Sequence, residues 1–177
     1  RFYGLSSEKF NMLKPYIQIS EAFRRKQDTL HFIKKAEKDT LAVYKYPEGT
    51  LVDLNEADTT ELKKIPGIGS GIARMIVAYR KRLGGFYDMA QLKEVNYVDE
   101  DMLRWFKLGN APIHRINANK AGLDKLRSHP YMNFYQAKVI IEYRRKKGKL
   151  KSLSQLSLYE EFTEKDLERL SHYLAFD

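Results

Sequence analysis

The sequence contains no cysteine, which excludes a disulfide framework and any thiolate metal site. No apolar run approaches the roughly 20 residues that a membrane-crossing helix needs, and no signal-peptide pattern opens the chain. Histidine is sparse: His31, His114, His129 and His172 are scattered without metal-ligand spacing. The acid clusters Asp99-Glu100-Asp101 and Glu160-Glu161 begin helical stretches, where acids are expected for dipole reasons alone. No catalytic residue and no metal ligand is therefore assigned, and a non-enzymatic protein is expected. Acids are also in the minority, 23 against 32 lysines and arginines, for a net charge of +9 and a pI near 9.5. That balance favours polyanionic partners. A hydrophobic fraction of 43% gives the chain a real core rather than disorder.

What is present centres on residues 62–76. Leu62 and Ile65 share one helical face, and Ile72, Met75, Ile76 and Tyr79 share another. Between them, Pro66-Gly67-Ile68-Gly69 predicts a tight turn, because proline resists helix continuation and glycine admits angles other residues resist. Ser70 is the expected cap of the second helix. Such a turn points backbone N–H groups outward at a positive helix end, which suits a phosphate. The plainer alternative is an ordinary helix–turn–helix connection.

The chain repeats itself. At a shift of 64, without gaps, Asn55 falls on Asn119, Leu62 on Leu126, Pro66 on Pro130, Ala73 on Ala137, Arg80 on Arg144 and Gly84 on Gly148. Each unit has a second half that opens on a capping-box pattern, Asp88 to Gln91 and Ser152 to Gln155. In the first unit it continues through Asn96-Tyr97-Val98, a second hairpin without glycines. At a shift of 93, Phe2-Tyr3-Gly4-Leu5 matches the end of the first unit, which predicts a third copy cut short and further sequence upstream. Four segments follow: 1–17, a remnant of an upstream unit; 18–49, a basic and partly helical linker; 50–112, a unit with an intact hairpin; and 113–177, a unit with a degenerate one. Extended lead-ins at 50–54 and 114–116 leave room for a very short strand pair between them.

The second hairpin departs where it matters, with Tyr131 in place of Gly67 and Asn133 in place of Gly69. Tyr131 would block close approach of a ligand to the backbone, so weak phosphate binding is expected there. Tyr131 and Tyr87, both near turns, are the aromatics worth following as base-stacking candidates. Lys63, Lys64 and Arg74 flank the first hairpin. Arg144, Arg145, Lys146, Lys147 and Lys149 form a run denser than helix capping needs, and are read as a secondary polyanion patch.

Leu62, Ile65, Gly67, Gly69, Ala73 and Ile76 resemble the helix-hairpin-helix DNA-binding motif. The run Asp53–Gly69, continuing to Gly84-Gly85-Phe86, is similar to the ComEA-type domain of bacterial DNA-uptake proteins. The resemblance implies an all-α fold of tandem SAM-like units, each a pair of hairpins. It implies sequence-independent binding of double-stranded DNA, with backbone contacts from Gly67, Ile68, Gly69 and Gly71 beside Ser70, Lys63, Lys64 and Arg74. It further implies a bacterial, extracytoplasmic or membrane-tethered setting, competence or uptake-machinery partners, and no membrane contact from this segment itself. A monovalent cation on the turn carbonyls of the first hairpin is admitted; no other cofactor is expected. A protein-interaction module that keeps the fold, and an accessory DNA-binding part of a larger enzyme, are the alternatives.

Overall fold

The computed structural model describes residues 7–13 and 44–177. Within 1–43 only helix α1 (Ser7–Leu13) is described, so most of the remnant and linker readings lie outside the described residues. Tyr44–Asp177 forms one compact unit. Its chain enters through a turn closed by Thr50, whose N–H and hydroxyl both reach the Pro47 carbonyl.

The first repeat runs β1 (Val52–Asp53), α2 (Thr59–Leu62), α3 (Ser70–Leu83), a 3-10 turn over Met89–Glu94, α4 (Glu100–Leu103) and β2 (Phe106–Lys107). The second runs β3 (Ile116–Asn117), α5 (Leu123–Arg127), α6 (Phe134–Lys147), a 3-10 turn over Leu153–Gln155, α7 (Glu164–Ser171) and β4 (Leu174–Ala175). The protein is therefore mostly helical. Local sequence explains most starts. The Asp58 carboxylate accepts the N–H groups of Thr60 and Glu61, closing a capping box on α2. These amides, Glu61 first, hold the Asp58 carboxyl below its usual range. Asp88 and Gln91 form the expected box on the first 3-10 turn.

The two lead-ins do not pair with one another. Each pairs in parallel with the tail of its own repeat: Val52 lies opposite Phe106, and Ile116 opposite Leu174. The strand pair is thus made twice, inside each unit. Side chains reinforce both closures in the same way. Asn55 exchanges two bonds with the Phe86 backbone, each 2.8 Å, and Asn119 does the same with Leu150 at 2.9 and 2.8 Å. Arg80 donates to the carbonyls of Leu54 and Ala57, and Arg144 to that of Ala121. These two arginines are structural ties at the ends of the long helices.

The repeats bury matching cores. Leu62, Ile68, Ala73, Ile76, Phe86 and Leu92 fill one, and Leu126, Met132, Ala137, Ile140, Leu150 and Leu156 fill the other at the same spacing of 64. A fully buried residue crosses over. Tyr173 belongs to the second repeat but is wholly buried in the first core, where its hydroxyl donates to the Gly85 carbonyl at 2.8 Å.

Candidate nucleic-acid interface

The first hairpin is a pair of tight turns. Ile65 N–H donates to Leu62 O, and Ile68 N–H to Ile65 O. Gly67 sits at φ +83°, a left-handed angle that a side chain would strain, with the Met102 methyl packed beside it. The side chains of Ile65 and Ile68 are buried in the core and anchor the turn. Of the residues expected to offer backbone amides, Ile68 therefore serves as an anchor, with its N–H spent inside the turn.

Helix α3 starts one residue earlier than expected. Gly69, not Ser70, is the N-cap, and having no side chain it caps nothing. The helical ladder begins at Ala73 N–H to Gly69 O. The amides of Ser70, Gly71 and Ile72 precede it, and no side-chain cap bonds to them. A Cβ added at Gly69 or Gly71 would meet nothing within 4 Å. Neither glycine lies at a left-handed angle. No described residue lies close enough to require their smallness. Exposed Arg74 folds back to Ser70 O at 3.2 Å, and half-buried Lys63 and Lys64 flank the turn, Lys64 lying 5.5 Å from the Tyr46 ring.

The second hairpin makes the same two turn bonds, but its helix start carries a side-chain cap. Asn133 accepts the N–H of Gln136 at 2.9 Å, and Gln136 returns the bond to Asn133 at 2.9 Å, so α6 caps itself. Phe134 and Tyr135, where the first repeat has Ser70 and Gly71, pack edge to face on one another at 5.6 Å, both exposed. The hairpin tip is turned into the seam between the repeats. His129 is buried and reaches Leu83 O through Nε2 at 3.0 Å, while its Nδ1 accepts the Tyr131 N–H. Burial pushes its pKa down to about 4. The Tyr131 hydroxyl bonds to Gln91 and Glu94, and Arg169 lies over its ring while pairing with Glu94 at 3.2 Å. Tyr87 stacks on His172 at 3.8 Å. Both turn tyrosines are thus partners within the protein, not base-stacking platforms. This seam is not legible locally, because its residues lie 37 to 88 positions apart.

The basic run divides by role. Arg144 is the structural tie, Lys146 pairs with Glu142 at 3.4 Å, and Lys147 lies over the rings of Tyr143 and Tyr159. Arg145 and Lys149, both exposed, line a shallow cavity of about 470 Å³ with Asn119 and Gly148. Among the described residues no group of histidine and acid side chains could hold a metal, and no helix is long and apolar enough to cross a membrane.

On the inner side of the first hairpin, the carbonyls of Lys63, Ile65 and Ile68 converge on the Lys45 ammonium, at 2.6, 3.0 and 3.4 Å. These are the turn carbonyls on which the resemblance admits a monovalent cation. With a cationic side chain already seated there, the cradle does not fit an exchangeable ion.

A family model described as the helix-hairpin-helix motif matches residues 48–105 and again 112–175. The chain belongs to the helix-hairpin-helix family. Its curated relatives include the endonuclease/exonuclease/phosphatase family domain-containing protein 1 of Mus musculus and of Rattus norvegicus. Each is 27% identical over 154 residues, covering 68% of this chain and 27% of the relative. The Xenopus laevis protein of the same name is 25% identical over 146 residues, 68% of this chain and 26% of the relative. The chain thus spans about a quarter of the length of these relatives. No solved structure is matched. The match is to the helix-hairpin-helix motif as such, and none of these names mentions DNA uptake.

Proposed function

We propose that this helix-hairpin-helix protein binds double-stranded DNA without sequence preference, through the first hairpin alone among the two. A backbone phosphate sits on the amides of Gly69, Ser70 and Gly71, with Gly67 shaping the turn and Lys63, Lys64 and Arg74 adding charge. The observation that carries this is the contrast between two copies of one turn. One start is bare, roomy and glycine-lined; the other is capped by Asn133, carries bulky Phe134 and Tyr135 in place of Ser70 and Gly71, and has its tip locked in a seam. Each unit is read as a pair of hairpins, with the half-units around Val95–Val98 and Tyr159–Phe162 serving mainly as packing. The exposed Arg145 and Lys149, away from the second hairpin's tip, are read as a further contact with the same duplex.

Duplex binding titrated against salt tests this. Each phosphate contact should contribute a slope of about −0.9 in log K against log salt, with affinity roughly micromolar or weaker at physiological salt. A flat salt dependence would favour a protein-interaction module instead. A further reading makes the chain an accessory DNA-binding part of a larger protein, supported by the relatives, which are much longer and carry a nuclease-family name. The chain itself is proposed to catalyse nothing; labelled duplex incubated with it and magnesium should stay intact.

A further inference from the structure

We infer that Lys45 is a built-in substitute for a metal ion: its ammonium fills the carbonyl cradle beneath the first hairpin and holds that hairpin in its phosphate-binding shape without any dissolved cation. The inference rests on the DNA-binding reading for its functional arm only. Three main-chain carbonyls, from Lys63, Ile65 and Ile68, aim at one point, the arrangement by which protein oxygens hold a hard cation. An ammonium offers three donors and no acceptor, one for each carbonyl. The side chain comes from 18 to 23 residues upstream, so local helix geometry does not bring it there. Its segment is strapped down by the next residue: Tyr46 N–H donates to Lys64 O at 2.9 Å, and the Tyr46 ring packs on the first core and under the Lys64 ammonium.

The seat has a consequence for the ligand face. The Ile68 carbonyl and the Gly69 N–H belong to one peptide group. Its oxygen faces the Lys45 ammonium and its N–H faces the bare helix start. A cation on the oxygen side polarises the N–H toward an anion on the other. Among the described residues the second repeat has no such device: the residue 64 positions after Lys45 is Gly109. There the hairpin is held by the seam and needs none.

The test uses wild type and Lys45→Met in potassium, sodium or tetramethylammonium chloride at one ionic strength. Wild-type affinity for a fluorescent duplex should agree within about twofold in all three, since only ionic strength then matters. Lys45→Met should lose about tenfold in tetramethylammonium, the worth of a charged hydrogen-bonding group, and regain most of it in potassium or sodium, which can enter the vacated cradle. Melting of the free proteins reads the same device without DNA: the variant should melt higher in potassium than in tetramethylammonium, and wild type should not distinguish them. Thallium-205 resonance should show a bound ion in Lys45→Ala and none in wild type. Wild type that gains affinity or stability from potassium, or a Lys45→Met protein indifferent to the cation, would overturn the inference. Wild type that binds no duplex in any salt would defeat the DNA reading, while melting and thallium would still decide the role of Lys45.

Discussion

Replacing Gly69 with aspartate should strengthen the fold and weaken DNA binding together. Gly69 has φ −96° and ψ 178°, ordinary extended angles for an N-cap, and open space where a side chain would stand. Asn133 already occupies the matching position and caps α6. An aspartate at 69 would take the Ile72 N–H as Asn133 takes that of Gln136. Relative to glycine the cap adds a few tenths of a kcal/mol, and the charge at a helix N-terminus adds about 0.3–1 kcal/mol. For a chain of this size that is a melting rise of about 1–4 °C. The carboxylate would occupy the seat assigned to a phosphate and repel it. Removing one charge-assisted hydrogen bond to the phosphate costs about 1.5–3 kcal/mol, or about ten- to a hundredfold in affinity. The salt slope should become shallower by about 0.9. Anisotropy on a labelled duplex and calorimetry on the free protein read the two effects separately. Asn133→Val is the control: it should lower melting by the loss of a cap, about 1 kcal/mol, and leave affinity alone. Unchanged affinity in Gly69→Asp with the fold intact would refute the assignment of the phosphate to this turn.

Replacing Arg145, Lys146, Lys147 and Lys149 with glutamine should make the salt slope shallower by about 0.9 for each phosphate these side chains neutralise, while circular dichroism stays unchanged; an unaltered slope returns the run to solvated surface. Tyr173→Phe strips a hydroxyl that the Gly85 carbonyl and Gln91 both use in a buried place, and should cost about 1–3 kcal/mol in urea unfolding. His129 gives a pH signature. Its folded pKa of about 4 lies below its ordinary value of 6.5, so the unfolded chain binds the proton more readily. Stability should therefore be full above pH 6.5, fall as pH drops toward about 4, and level off below; His129→Phe should remove that component of the pH dependence from calorimetric melts.

What is legible in the sequence is what is local. The turn at Pro66-Gly67, the box at Asp88 and the repeat of 64 all depend on neighbours a few residues apart or on plain self-comparison. The cap falls at Gly69 rather than Ser70, and a glycine cap leaves no side-chain signal to find. The lead-in strands resemble each other in position, whereas their partners are the tails about 54 and 58 residues further on. The bulk of Tyr131 marks it as an obstruction to a ligand, but its sequence neighbours do not show that it obstructs by being a partner to Gln91 and Glu94. Lys45 falls in a stretch that reads as linker, and nothing in its neighbourhood announces three carbonyls from another turn.

The parallel pairing of Val52 with Phe106 and of Ile116 with Leu174 brings the entrance and exit of each repeat side by side. A module whose two ends meet is a cassette. It can be spliced out, duplicated or set into a surface loop of another protein without stretching the chain on either side. For the same reason a unit re-cut at an exposed loop, with its old ends joined by a short linker, should fold as a circular permutant. The geometry that closes each unit also explains how two copies of one ancestral segment could be laid end to end and then drift apart in what they hold.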